Sequence, residues 1–380
     1  MKHNIYIPKK ITKDLFFQTL IILFHSLIIL KNILGVGNGL FPTIITAGYV
    51  SLGISMTLYM IPRISKSLII FMGSMLLLSI ITAIFSENYR INDVLLVFTY
   101  FGIALIPIYF KLNYKLFLLF AYCVIIFFVI SFFRVNNPNK VFATVSRNNI
   151  SVTILIVMGY YIITCFQNKR KPNFLLIVLS FIFAVWGEGR SGILSIGLLF
   201  VFYPFFTKTT RKYKLFFSLF LFILLVVVYQ KYFDVFQSIF QRFYEVGIDT
   251  TGRSKINREY IERVSFSISH LFFGVPLNEI PSLVNQIGLV SDSVANPHNS
   301  FIRAHVYYGF GGFLLLVIFL IYTLFHFFRT KNFIFFIMLL ALLIRSSFDS
   351  TAFHGPLDTI IYFFVFYAIK ETILIHKSTN

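Results

Sequence analysis

Runs of close to 20 apolar residues, separated by short polar segments, recur along almost the whole chain. A helix rises 1.5 Å per residue and needs about 20 apolar residues to cross the hydrocarbon of a bilayer, so each run predicts a transmembrane helix. About twelve are expected, at 15–33, 41–60, 67–85, 94–110, 115–134, 150–166, 173–187, 191–207, 214–232, 301–327, 333–348 and 357–375. Lipid cannot hydrogen-bond an open backbone, which leaves helices as the spanning element for such runs. One long polar stretch, 233–300, interrupts the series. The expected organisation therefore has three parts: 1–232 with nine membrane helices, 233–300 as a loop, and 301–380 with three helices and a tail.

The loop has a pattern of its own. Phe236, Ile239, Phe240 and Phe243 recur at helical spacing and predict an amphipathic helix lying on the membrane surface. After Thr250-Thr251-Gly252, Ile256, Tyr260, Ile261, Val264 and Ile268 share one face of a second predicted helix. Gly274-Val275-Pro276 stops it, and a short third helix is expected over 279–288. The loop lacks the compositional bias of a flexible linker.

Composition strengthens the membrane reading. Apolar residues make up 58% of the chain and charged residues 12%, against about 25% charged in a soluble domain. The net charge of +19 raises the possibility of nucleic-acid binding, which its distribution rejects. With the N-terminus inside, the inner segments hold 19 of the 33 basic residues and two acids, Asp14 and Glu371; the outer segments hold the other 14 basic residues and 12 acids. This positive-inside asymmetry puts both termini in the cytoplasm and the long loop on the far side. The first apolar run reads as an uncleaved helix, being too long for a signal peptide and lacking a small-residue cleavage site. Cys123 and Cys165 fall inside predicted helices and form no disulfide or metal motif.

Candidate chemistry gathers on the outer side. Trp186-Gly187-Glu188-Gly189-Arg190-Ser191-Gly192 turns between the seventh and eighth spans. A guanidinium there, beside the amides of a helix start, suits phosphate or diphosphate; the structural alternative is that Arg190 snorkels to the interface or pairs with Glu188. His298, followed by Asn299 and Ser300, precedes the tenth span, and a neutral imidazole at that place can take a proton from a sugar hydroxyl. The alternative is an interfacial cap. Arg253 offers a second cation, or is a solvated loop residue. Arg147, Asn299, Arg303 and Arg345 are candidate substrate-binding positions beside these, although Arg345 and Asp349 also have the i,i+4 spacing of a simple ion pair. Gly309 and Gly312 allow close helix packing. No Asp-x-Asp pair lies in an outer loop, so nothing calls for a metal or another cofactor.

Taken together, these pieces resemble a known family. His298-Asn299, nine further residues, then Gly309-Phe310-Gly311-Gly312 resembles the His-Asn-x9-Gly-x-x-Gly pattern of bacterial O-antigen ligases and the related O-antigen polymerases. Gly189-Arg190-Ser191-Gly192 is similar to the turn that opens a helix before the long loop in that family, and Thr251-Gly252-Arg253-Ser254 with Phe273-Gly274 is similar to the start of that loop. Gly187-Glu188-Gly189 departs from the pattern, where a Ser or Thr is frequent. The resemblance covers mainly 185–315 and implies an all-helical, GT-C-like enzyme of the bacterial inner membrane with its site facing the periplasm. It implies transfer of a glycan from undecaprenyl diphosphate, without a metal and with inversion, to an acceptor. For a polymerase, the leading expectation, the acceptor is another lipid-linked repeat unit; for a ligase it is lipid A-core. Arg190 and Arg253 are the implied diphosphate ligands and His298 the implied activator of the acceptor. A chain-length regulator is a possible further partner. A lipid-linked oligosaccharide transporter is the alternative from another class; it is disfavoured because no internal repeat is visible and the charges gather at the outer edge.

Overall fold

The computed structural model describes residues 9–34, 40–86, 91–135, 137–143, 145–206, 253–276, 279 and 299–379. Among these the regular elements are helical. They are α1 (Lys9–Leu34), α2 (Leu40–Met60), α3 (Lys66–Phe85), α4 (Ile91–Tyr109), α5 (Tyr114–Val135), α6 (Asn148–Gln167), α7 (Phe174–Trp186), α8 (Arg190–Phe206), α9 (Arg253–Phe266), α10 (Ile268–Phe273), α11 (Ser300–Arg329), α12 (Phe333–Phe348) and α13 (Asp358–Thr379). Eleven of the twelve expected spans correspond to a helix; the one at 214–232 lies outside the described residues, as do the expected helix over 233–244 and nearly all of the one over 279–288. The expected helix across 256–268 is present as α9, with α10 following after a break at Ser267.

Among the described residues, seven helices are long and apolar enough to cross a membrane, which makes this a polytopic membrane protein. Three apolar helices are shorter: α7, the apolar part of α8 (Arg190–Pro204) and α12. With 13 residues, α7 is about 20 Å long, short of the ~30 Å hydrocarbon thickness. Two helices form the middle of the bundle. In α6, 89% of the most apolar window is buried, and the 360–369 stretch of α13 is apolar on all sides, with Ile360, Ile361, Tyr362 and Phe364 fully buried. A helix hydrophobic all round belongs inside protein, and both obey that rule.

Polar groups inside the bundle find partners on neighbouring helices. Thr57 of α2 donates to the Phe98 carbonyl of α4 at 2.5 Å, and Thr99 of α4 donates back to Val50 at 3.2 Å. Lys370 of α13 donates to the Ile108 carbonyl at 2.9 Å and lies over the Tyr109 ring. His326 of α11 meets Glu371 of α13 at 2.8 Å. In hydrocarbon such groups must be satisfied by protein, and these bonds also fix which helices neighbour each other.

Candidate functional site

Arg147, Arg190, Asn299, Arg303 and Arg345, all singled out in the sequence, lie at one end of the bundle. There the start of α6, the turn between α7 and α8, the start of α11, the end of α12 and the 349–357 loop come together.

Arg345, near the end of α12, is the centre of this junction. It is fully buried. Its guanidinium donates to the Ser191 hydroxyl on α8, to the Asn148 carbonyl at 3.1 Å at the start of α6, and to Asp349 Oδ2 at 3.0 Å. A buried guanidinium is tolerable because its planar fork meets several acceptors at once and a carboxylate offsets its charge. Asp349 reaches onward: its carbonyl accepts the Ser300 hydroxyl at 2.5 Å. The Ser300 oxygen in turn accepts the backbone N–H groups of Thr351 and Ala352, at 3.1 and 3.0 Å. One unbroken chain of bonds thus runs from Ser191, beside Arg190, to Ser300, two residues after His298.

The α7–α8 turn is held from α6. Glu188 adopts a left-handed backbone, φ 51°, and its carboxylate pairs with Arg147 at 2.5 Å. The Gly189 carbonyl accepts the Ile193 N–H at 2.9 Å, which starts α8, and Arg190 opens that helix half-buried. Gly192 has no room for a larger side chain, because a Cβ would run into the Ser151 hydroxyl of α6.

The start of α11 explains the spacing of the His-Asn-x9-Gly pattern. Asn299 is the N-cap, and its side-chain oxygen accepts the Phe301 and Ile302 N–H groups at 2.8 and 3.4 Å. Gly309 has φ 64° and ψ −177°, which breaks the helix. The nine residues between cap and glycine are therefore the first leg of a broken helix. A Cβ at Gly309 would collide with the Phe272 carbonyl of α10, so the break also seats the loop helices. That docking is reinforced one turn earlier. Nε2 of His305 faces the Leu271 carbonyl at 2.8 Å; a carbonyl only accepts, so Nε2 carries the proton. In the neutral ring Nδ1 is then the acceptor for the Tyr260 hydroxyl of α9, 2.7 Å away. Burial pushes the Tyr260 phenol well above its ordinary pKa, which keeps it a donor. Gly274, at φ 77°, closes α10 against His305 and Val306.

The 349–357 loop is buried, and its backbone is satisfied by one carboxylate. Asp358 accepts the N–H groups of Phe353, His354 and Gly355 at 2.5, 2.6 and 3.1 Å. These bonds hold Phe353 and His354 at positive φ, 52° and 94°, which side chains other than glycine rarely adopt. His354 donates from Nε2 to the Asp93 carbonyl at 2.6 Å and stacks on Tyr307, with ring centroids 4.0 Å apart. Burial first, and the nearby Arg303 charge second, hold its imidazole well below the usual range, at about 3. Arg303 itself donates to the Ser350 carbonyl at 2.9 Å and lies over the Tyr307 ring.

The expected site residues therefore fall into groups. Arg147, Arg190, Asn299, Arg303 and Arg345 belong to this junction. Arg253 opens α9, with its side chain outside what the structure describes, and His298 lies outside the described residues. Two other arginines of the loop have carboxylate partners: Arg258 meets Glu262 at 2.9 Å and Arg263 meets Glu279 at 3.1 Å. Sequence reasoning did not foresee the parts played by Ser191, Ser300, Asn148 and Tyr260. Two of these had a signal, since Ser191 and Ser300 are small polar residues inside the motifs themselves.

Residues 175–317 match the family model Wzy_C, described as O-Antigen ligase. The matched stretch takes in the Arg190 turn, the loop, the Asn299 cap and the Gly309 break. Comparisons with curated proteins and with solved structures gave no match.

Proposed function

We propose, from the match of residues 175–317 to the O-antigen ligase family model, that this chain joins lipid-linked glycan at the outward face of the inner membrane. The family places it broadly among enzymes that ligate or polymerise glycans. The observation that carries the finer reading is the bonded path Ser191–Arg345–Asp349–Ser300, which ties the turn bearing Arg190 to the cap that follows His298.

In this reading Arg190 and Arg253 hold the diphosphate of undecaprenyl diphosphate. His298 takes the proton of the acceptor hydroxyl as its oxygen attacks the anomeric carbon. The carbon–oxygen bond to the diphosphate breaks, and its electron pair leaves with the phosphate oxygen. Guanidinium groups fixed beforehand stabilise that charge as it develops, without needing a metal. Attack from the face opposite the leaving group inverts the anomeric centre. Arg345 is a positioning residue, because its bonds go to protein groups and it is fully buried. The short α7 and α12 support a site recessed below the membrane surface, where a lipid diphosphate can reach it without leaving the bilayer.

For the acceptor we take another lipid-linked repeat unit, which makes the enzyme a polymerase; the modest length of the 233–300 loop supports this reading. The second reading, a ligase acting on lipid A-core, is favoured by the description of the matched family. A deletion strain separates them. Loss of a polymerase leaves core carrying one repeat unit, whereas loss of a ligase leaves bare core and accumulated lipid-linked polymer. The direct test is reaction of the purified protein with a lipid-diphosphate glycan, with and without chelator. Elongation that persists in chelator is expected. Lipid movement across vesicles without elongation would sink the reading in favour of transport.

A further inference from the structure

At the opposite end of the bundle from the junction lies a cleft of about 580 Å³ between the first turns of α1, the α4–α5 loop and the α6–α7 loop. The two sites stand at the two ends of α6, whose 20 residues separate them by about 30 Å. This cleft is distinct from anything used in the transfer reaction. Its charged lining residues are Lys111, Lys115, Arg170 and one acid, Asp14. The three basic side chains are exposed, and none is in an ion pair among the described residues.

The floor beneath these cations is rigid. Gln18 is 3% exposed, and both ends of its amide are used: Nε2 donates to the Lys111 carbonyl at 2.9 Å, and Oε1 accepts the Asn113 N–H at 3.0 Å. Asn168 donates to the Leu112 carbonyl at 2.7 Å, and Gln167 accepts the Leu112 N–H at 2.8 Å. The Arg170 guanidinium lies over the Tyr114 ring, with 5.3 Å to its centroid. Three helix ends are thus locked around the short loop that carries Lys111. Leu15, which lines the cleft, is 50% exposed, and Leu119, one turn along α5 from Lys115, is 61% exposed. A polar basin of fixed shape therefore sits directly beside an apolar surface suited to acyl chains.

The geometry points to a binding site for the phosphate of an anionic phospholipid in the leaflet that the charge distribution assigns to the cytoplasm. Positive charge near a membrane end also directs insertion. Insertion alone needs no built floor, whereas recognition of a headgroup needs cations held at fixed positions around a concavity. The ligand chemistry is a phosphodiester with a negative charge. A soluble phosphate shares that charge but has no use for the exposed Leu15 and Leu119.

The test uses the full chain in nanodiscs or mild detergent, with native mass spectrometry counting retained lipids. Phosphatidylglycerol is expected to stay bound where phosphatidylcholine does not. Each of Lys111→Gln, Lys115→Gln and Arg170→Gln is expected to weaken retention about fivefold, the value of one basic residue at a membrane surface. Asp14→Asn leaves every basic residue, and hence the insertion signals, in place; it is expected to strengthen retention by a similar factor of about five. Equal retention of the two lipids would overturn the proposal, as would unchanged retention in the triple Gln variant of a folded protein, or no gain in Asp14→Asn. Millimolar inorganic phosphate is expected to leave the lipid in place; displacement by it would assign the cleft to soluble phosphate instead. None of these outcomes depends on glycan transfer, so the cleft and the transfer reaction stand or fall separately.

Discussion

The Tyr260 hydroxyl lies 2.7 Å from Nδ1 of His305 and joins the loop helix α9 to the first leg of α11. Both residues are buried, so losing one partner leaves a polar atom unsatisfied. Tyr260→Phe is expected to cost about 1–3 kcal/mol at this contact. The effect will be local: faster amide exchange across 253–273, read by mass spectrometry, with the bundle helices unchanged. Protection that stays at the wild-type level would show that the contact does not hold the loop.

A buried ion pair costs most when it is half removed. Arg345→Met removes the guanidinium paired with the Asp349 carboxylate and is expected to destabilise by about 3–5 kcal/mol. Adding Asp349→Asn should recover part of that loss, even though a second native residue has gone. Thermal unfolding in detergent of the two single variants and the double measures the coupling. Additive losses would mean that the two side chains do not act as a unit.

Gly309 combines a positive φ with the Phe272 carbonyl in the space that a Cβ would fill. Gly309→Ala adds about 1–3 kcal/mol of backbone strain and must also displace Phe272. Loss of loop docking is expected, read as new protease cleavage near 272–274. Gly311 meets only a flexible Leu78 side chain, and Gly311→Ala serves as the mild control.

If Arg190 stabilises the leaving diphosphate, Arg190→Ala should lower glycan transfer by about 10²–10³-fold or more. His298→Ala should abolish it, and Arg253→Ala should fall with Arg190→Ala. All three proteins are expected to insert and accumulate normally. Full transfer activity in any one of them removes that residue from the mechanism.

His354 gives a pH signature. Its folded pKa, about 3, lies below the ordinary histidine value, so the unfolded chain takes up a proton that the folded one refuses. Stability from this group is complete above about pH 6.5 and declines as pH falls from there toward 3. His354→Gln should flatten that part of the stability curve. An unchanged acid slope would assign it to other groups.

Much of this was legible in advance because membrane spans are written in hydropathy, and hydropathy survives without contacts. The second loop helix was legible too, from the spacing of Ile256, Tyr260 and Val264. The break at Gly309 was not. A helix-breaking glycine and a helix-packing glycine look alike until the neighbour is known, and that neighbour is Phe272, far away in sequence. Arg345 shows the same limit. Its i,i+4 relation to Asp349 was visible, but its bonds to Ser191 and Asn148 join residues more than 150 positions apart. Glu188 makes the same point: two residues before Arg190 in sequence, it pairs with Arg147, 41 positions away.

The broken helix α11 carries the Asn299 cap and the Ser300 bond at its tip, and the seat of α10 at its elbow. Any lifting of the loop must therefore tilt the short leg and drag the tip with it. The leg works as a lever, with Gly309 as its pivot. A push on α10 is thereby passed along the leg to the Asn299 cap and the Ser300 bond, where Asp349 and Arg345 take it up.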